Sequence, residues 1–195
     1  MAADRADGAR FSQGLMPMDS ALESRLRDLL DRDAIRQVVE RNARSLDRCD
    51  VELGLSCYWP EAIDDHNHFI GGPQGFLAYA HGVSRAFESC QHTVGTHTCE
   101  LAGDEAHCET YYIFTAHAAQ APHFMATGRY VDHFEKRGGE WRIRNRVCIV
   151  DGQYELLPSA MGQGDAYPPG EKPVARDRSD VSYQRPLQVR QQPKG

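Results

Sequence analysis

The chain has 195 residues and a formal net charge of −6. It contains no run of about eighteen apolar residues that could span a membrane. Its length suits one domain with a sizeable core, and its acidic balance argues against a nucleic-acid surface. The N-terminal residues lack the apolar segment of a signal peptide, and the six cysteines are scattered without Cys-x-x-Cys spacing. We therefore expect a cytoplasmic protein with reduced thiols that binds neither nucleic acid nor a membrane.

A long amphipathic helix is predicted near the N-terminus. Residues 1–19 are small and polar, and we expect them to be mobile. Ser20 and Glu23 match a capping box, which starts the helix at Ser20 as N-cap, and the helix runs to about Arg48. The apolar residues recur at three- and four-residue steps: Leu26, Leu29, Leu30, Ile35, Val38, Val39, Ala43 and Leu46.

Asp47 follows Ala43 by one helical turn, so it should point with the apolar stripe. Asn42 lies one turn before Asp47 on the same side. A carboxylate that faces a core is costly unless it is paired. An imidazole such as that of His92 is a suitable partner, and a paired Asp and His can transfer protons.

The rest of the chain is predicted to be mostly strand. A short helix at residues 51–58, stopped by Pro60, precedes a strand at 62–69 and a helix at 74–88. Four strands separated by turn signals follow at 91–101, 106–118, 124–136 and 141–150. This order predicts an α+β fold, with helices on one face of a strongly bent antiparallel sheet that encloses a cavity. The domain would span residues 20–158, and residues 159–195 would form a polar tail.

Five motifs occur in an order that resembles the SnoaL-like group of the NTF2-like superfamily. They are DAIR at 33–36, LDRCD at 46–50, YWPEA at 58–62, QHTVG at 91–95 and GGEWRI at 138–143. The group includes scytalone dehydratase, a dehydrochlorinase, bile-acid dehydratase, polyketide cyclases and steroid isomerases. The resemblance covers residue 31 to about residue 150 and implies an NTF2-like cone.

The resemblance also implies a site. In the dehydratase and dehydrochlorinase branches a helix Asp and a strand His form the catalytic dyad, at positions that match Asp47 and His92. These enzymes work without a metal or a cofactor, and related dehydratases are trimers with C-terminal segments near the pocket mouth. We therefore expect a homo-oligomer, with a trimer favoured, in which residues 161–174 are ordered against their own or a neighbouring barrel. A second cavity histidine of scytalone dehydratase has no counterpart, because Cys108, Thr110 and Tyr112 fill that strand face.

Strand alternation, placed by the matched motifs, sorts the remaining side chains. Arg129 and Asp132 are expected to point outward, and Arg146 could instead be a surface residue or a salt-bridge partner of Asp64. Residues expected to face inward are Asp64, His66, Cys108, Thr110, Tyr112, Phe114, Ala126, Gly128, Tyr130, Arg146, Cys148 and Val150. The candidates for substrate binding are Tyr130, Arg146, Tyr112, Asn42, Asp64, His66 and Thr110.

These residues predict a cofactor-independent lyase in which His92 is the general base and Asp47 fixes the tautomer and charged form of its ring. It would remove a proton from an aromatic or polycyclic small molecule and eliminate water or halide, or release a small aldehyde by retro-aldol cleavage. Two alternatives remain open: an isomerase or cyclase of ketosteroid or polyketide type, and a non-catalytic small-molecule-binding module. A competing metal site would use Asp64, His66 and His68, because histidines two residues apart share a strand face.

Overall fold

The computed structural model describes residues 19–157 and 175–188. Its helices are α1 (Ser20–Arg48), α2 (Val51–Ser56) and α3 (Pro73–Ser84), with a short 3-10 helix at Val181–Tyr183. Its strands are β1 (Tyr58–Asp65), β2 (Ile70–Gly71), β3 (Ser89–Ala102), β4 (Glu105–His117), β5 (His123–Arg137) and β6 (Glu140–Leu156). The expectations for residues 1–18 and 161–174 fall outside the described residues.

The six strands form one curved, unclosed sheet in the order β2-β1-β6-β5-β4-β3. Neighbouring strands are antiparallel except β1 and β6, which run parallel. The helices pack on one face, where α1 contacts β3 and β6 and α3 contacts β1. The predicted α+β cone, with helices on one face of a curved sheet, is therefore confirmed, and the sheet is antiparallel as predicted except at the β1–β6 pair.

Helix α1 begins one residue earlier than the capping box suggested. Asp19 is the N-cap, and its side chain accepts a hydrogen bond from the amide of Ala21 at 3.2 Å. The second half of the predicted apolar stripe, from Ile35 to Leu46, is buried.

The first half of that stripe is not buried in the described chain. Leu26, Leu29 and Leu30 are 40%, 63% and 58% exposed, so the prediction that they cover this chain's own core is wrong. They precede Asp31, which accepts hydrogen bonds from Trp141 and Lys136 of the sheet. This part of α1 extends beyond the sheet that the rest of the helix covers.

Bulges explain where the predicted strands differ from the observed ones. Pro60 lies inside β1, where the register against β6 shifts between Tyr58 and Ile63, and a residue without an N–H is tolerated at such a break. Strand β6 continues six residues beyond the predicted end at Val150. Asp151 lies at the register shift between Thr127 and Gly128 of β5, and the pairing of the two strands resumes after it. The pair Asp151-Gly152 therefore forms a bulge inside a strand.

The six cysteines, all within residues 19–157, form no disulfide with one another. In the part of the chain that the structure describes, no helix combines the length and apolarity needed to cross a membrane.

Candidate active site

The carboxylate of Asp47 and the imidazole of His92 are in direct contact. Asp47 ends the buried face of α1, and His92 lies on β3. The His92 ring Nδ1 lies 2.7 Å from Asp47 Oδ1, and the His92 backbone N–H donates to both carboxylate oxygens at 3.1 and 2.9 Å. The two side chains are about 10% exposed. This arrangement leaves ring atom Nε2 as the nitrogen available to a bound molecule.

His92 forms part of the wall of a cavity of about 520 Å³ between the helices and the concave face of the sheet. Phe114 packs on the imidazole with ring centroids 4.7 Å apart. Aromatic and aliphatic side chains dominate the walls, which comprise Leu46, His66, Asn67, His68, Phe76, Tyr79, Ala80, Val83, Ser84, His92, Tyr112, Phe114, Phe124, Ala126, Tyr130, Cys148, Val150 and Gln153. The apolar surroundings strengthen the electrostatic effect of the few polar groups.

A second aspartate–histidine pair, Asp64 near the end of β1 and His66 just after it, reaches the same cavity. His66 Nδ1 lies 2.5 Å from Asp64 Oδ1, and the Tyr58 hydroxyl donates to Asp64 Oδ2 at 2.7 Å. The imidazole stacks on Phe76 with ring centroids 4.5 Å apart. Burial disfavours the charged ring and is the largest single effect, but the hydrogen bonds and charge interactions with Asp64 and Cys148 together exceed it and raise the pKa of His66 to about 9. His66 is therefore an imidazolium at neutral pH. His66 and His68 line the cavity in addition to His92, and neither lies on β4, the strand whose face is filled by Cys108, Thr110 and Tyr112.

Arg146 lies below the cavity floor and does not line the cavity. Its guanidinium donates to Asp132 at 2.7 and 2.8 Å and to Asn42 Oδ1 at 2.6 Å. All three residues are almost fully buried. The prediction that Asp132 points outward is therefore wrong, and the salt-bridge partner of Arg146 is Asp132 rather than Asp64. Burial opposes the charge on the guanidinium, but Asp132 raises the pKa of Arg146, so the guanidinium stays charged.

The two cavity tyrosines are stacked on each other, and Tyr130 is also stacked on this arginine. Tyr112 and Tyr130 have ring centroids 4.6 Å apart, and the Arg146 guanidinium lies 4.1 Å from the Tyr130 ring centre. Burial raises the pKa of both phenols, so both remain neutral hydrogen-bond donors. The stack requires Gly128, because a Cβ there would lie 2.8 Å from the Tyr112 hydroxyl and 2.1 Å from the Ile149 carbonyl oxygen.

The candidate residues thus divide into two groups. His92, His66, Tyr112 and Tyr130 line the cavity, and Asp47 lies behind His92. Asn42, Asp64, Thr110 and Arg146 do not line it, and they hold other side chains in place. That any of them binds substrate, and that Asp47 and His92 act as a catalytic dyad, stay predictions.

The premise of the competing metal site at Asp64, His66 and His68 is wrong. Strand β1 ends at Asp65, and Asn67 adopts a left-handed conformation with φ of 63°. His66 and His68 therefore do not alternate on one strand face. His68 is exposed, whereas His66 binds Asp64.

Residues 175–188 pack on their own chain beside the dyad. Arg176 donates to the Asp47 carbonyl at 3.4 Å, to the Phe87 carbonyl at 3.1 Å and to the Ser84 carbonyl. Asp180 accepts from Arg48 at 3.2 Å. Sequence reasoning missed Arg176, since nothing in a polar tail marks one arginine among several. It also missed Asp132, although strict alternation with Tyr130 would have placed it inward.

The raised pKa of His66 predicts a pH-dependent stability. Protonated His66 stabilises the fold fully below its ordinary pKa of 6.5, and this contribution is lost as pH rises through about 9. The wild type should lose up to about 3 kcal/mol of unfolding free energy over that window, and a His66→Gln variant should lack this component. Denaturant unfolding at a series of pH values measures the difference. A His68→Gln variant is the matched control, and identical pH profiles for wild type and His66→Gln would refute the assignment.

Comparison with known proteins agrees with this fold. The family model described as a SnoaL-like domain matches residues 27–147. The crystal structure of LinA superposes with a TM-score of 0.65 at 19% identity, covering 72% of this chain and 99% of that one. A candidate scytalone dehydratase from Novosphingobium aromaticivorans gives a TM-score of 0.61 at 16% identity, with 71% and 97% covered.

The hexachlorocyclohexane dehydrochlorinase LinA-type3 from Novosphingobium barchaimii gives a TM-score of 0.62 at 17% identity, with 69% of this chain and 99% of that chain covered. No curated protein sequence matches the chain. At these identities the structural likeness establishes the fold, while the family model covers more than half of the chain. The chain belongs to the SnoaL-like family.

Proposed function

We propose that the chain is a cofactor-independent lyase in which His92 removes a proton from a small molecule bound in the cavity. The observation that carries the proposal is the Asp47–His92 contact at the wall of an apolar cavity. A carboxylate on Nδ1 favours the tautomer whose free lone pair is on Nε2, and it stabilises the imidazolium that forms when Nε2 takes a proton.

The proposed reaction is an elimination. Nε2 of His92 takes the proton from a carbon beside an electron-withdrawing group, or from a hydroxyl group. The electron pair of that bond forms a double bond and expels a leaving group such as hydroxide, halide or a carbon fragment. The His66 imidazolium is placed in the same cavity to donate a proton or a hydrogen bond to the departing group. The neutral hydroxyls of Tyr112 and Tyr130 are candidates to stabilise charge that develops on a substrate oxygen.

The cavity favours an aromatic or polycyclic substrate. Its volume of about 520 Å³ suits a molecule of one to a few rings, and Phe76, Phe114 and Phe124 line it. Among the structural neighbours, the hexachlorocyclohexane dehydrochlorinase and the candidate scytalone dehydratase carry names of elimination enzymes. These names support the reaction class and leave the substrate of this chain open.

The alternative of an isomerase is favoured by one observation, the presence of a second titratable imidazole in the cavity. His66 could return a proton to a different atom of the substrate after His92 has removed one, which would give a product of unchanged mass. Mass spectrometry of the product separates the two reactions, since only elimination releases a fragment. A module that only binds its ligand would give no product at all.

The test of the dyad measures proton abstraction directly. A benzisoxazole opens by base-catalysed elimination, so it serves as a probe alongside a panel of aromatic alcohols, ketones and halides. His92→Ala and Asp47→Asn should each lower turnover at least ~100-fold, because the first removes the base and the second allows the wrong tautomer. Circular dichroism should show that both variants remain folded.

His107→Ala is the matched control, because His107 lies on β4 with its side chain exposed, away from the cavity. This variant should keep wild-type turnover. Turnover near the wild-type value in either dyad variant would show that the base lies elsewhere.

We also propose that the chain forms a homo-oligomer, with a trimer favoured by the family resemblance. The exposed face of Leu22, Leu26 and Leu29 on α1 is an apolar surface that another copy could cover. Sedimentation equilibrium should give a multiple of the chain mass, and a Leu26→Glu, Leu29→Glu double variant should lower it. Leu187→Glu changes an exposed leucine outside this face and is the control. A wild-type mass equal to one chain would rule the oligomer out.

A further inference from the structure

A cluster of soft ligand atoms lies on β3 and β4, apart from the cavity. The imidazole of His97 and the thiols of Cys99 and Cys108 each place a ligand atom within 4.8 Å of the other two. Cys99 is directly opposite Cys108 in the β3–β4 ladder, and His97 is opposite Thr110. None of these residues lines the cavity, and the proposed reaction uses none of the three ligand side chains.

A bulge in β3 creates this cluster. The register against β4 shifts between Val94 and His97, and the inward-facing positions change from the even numbers of His92 and Val94 to the odd numbers of His97 and Cys99. Without the extra residue, His97 and Cys99 would point away from α1. The bulge therefore turns two ligating side chains onto the face that Cys108 already occupies.

One ring nitrogen of His97 has a hydrogen-bond partner, and the other has none among the described residues. Its Nδ1 lies 2.7 Å from the hydroxyl oxygen of Thr110, a residue that is only 2% exposed. Its Nε2 is buried and has no hydrogen-bond partner among the described residues. A buried polar atom without a partner is costly, and such an atom commonly indicates a bound water or ion. A Thr hydroxyl that accepts from Nδ1–H leaves a bare lone pair on Nε2, the arrangement that metal-binding histidines use.

We propose that His97 Nε2, Cys99 Sγ and Cys108 Sγ bind a zinc ion, with water as the fourth ligand. Two thiolates and an imidazole form a donor set that zinc prefers, at ligand separations that its tetrahedral geometry can close. Binding releases the two thiol protons to solvent and transfers no electron. The ion would join edge strand β3 to β4 beneath α1, whose Arg32 donates to the carbonyl of Cys99. By joining the two strands, the ion would stabilise the folded state.

Cobalt substitution in the full-length protein tests the site. After chelator treatment under reducing conditions, the protein should bind one equivalent of Zn²⁺ or Co²⁺. The cobalt form should show a thiolate-to-metal charge-transfer band and the intense visible absorption of tetrahedral coordination. Zinc should raise the melting temperature of the stripped protein, because it binds only the folded state. Turnover of the benzisoxazole probe below that melting temperature should not change, so the zinc site and the proposed lyase activity can fail separately.

Variants locate the metal. Cys99→Ser, Cys108→Ser and His97→Gln should each lose the charge-transfer band or weaken binding strongly, and Thr110→Val should weaken binding about 10–100-fold through the loss of its hydrogen bond. Cys90→Ser is the matched control, because Cys90 is a buried cysteine on the same strand outside the cluster. It should bind metal like the wild type.

The surface group of Glu105, His107 and His133 is a second place where a divalent ion could bind, and it contains no sulfur. Cobalt there would give no thiolate band, and a His107→Ala, His133→Ala variant should leave the band intact. Absence of the band in the wild type, or a band of wild-type intensity with wild-type affinity in Cys99→Ser, would overturn the proposal. Mass spectrometry could also overturn it: a protein without metal whose mass is two hydrogens below that of the reduced chain would contain a Cys99–Cys108 disulfide instead.

Discussion

The position of the long helix depends on one buried carboxylate. Asp47 at the end of α1 accepts from the backbone N–H of His92 at 2.9 Å and contacts its imidazole at 2.7 Å. Because a nearly buried carboxylate is costly without partners, this contact fixes where α1 meets the edge strand β3. The same contact closes one wall of the cavity and holds the His92 ring in a single orientation. Packing and the proposed chemistry therefore rest on the same pair of side chains.

A second layer of buried charge supports the cavity from below. Arg146 forms a two-point ion pair with Asp132, binds Asn42 on α1 and stacks on Tyr130. Removing one partner of such a pair leaves an uncompensated charge in the core, which typically lowers the free energy of unfolding by about 3–5 kcal/mol. The cavity floor is thus held rigidly, and the polar groups that face the cavity are few: His92, His66, Tyr112 and Tyr130 are prominent among them. In the proposed reaction, this separation keeps the permanent ion pair away from the substrate.

Helices and strands with a regular periodicity could be predicted from the sequence, whereas bulges and buried ion pairs could not. The order of helices and strands, and the inward direction of Asp47, follow from three- and four-residue steps along a helix and from alternation along strands. Bulges add one residue and cannot be located from alternation alone, which is why strand β6 was predicted to end six residues too early. The outward assignment of Asp132 failed because a carboxylate looks unfavourable in a core until its partner Arg146 is known. The exposure of Leu26 was missed because an apolar stripe does not by itself show that the chain's own core covers it.

The central claim is that Asp47 fixes the tautomer of His92 so that Nε2 carries the free lone pair. Nitrogen-15 NMR of the histidine rings tests it in the absence of any substrate. The account predicts that His92 carries its ring proton on Nδ1, with a downfield N–H resonance that shifts or disappears in Asp47→Asn. A ring proton on Nε2, or a His92 resonance unchanged by Asp47→Asn, would contradict it.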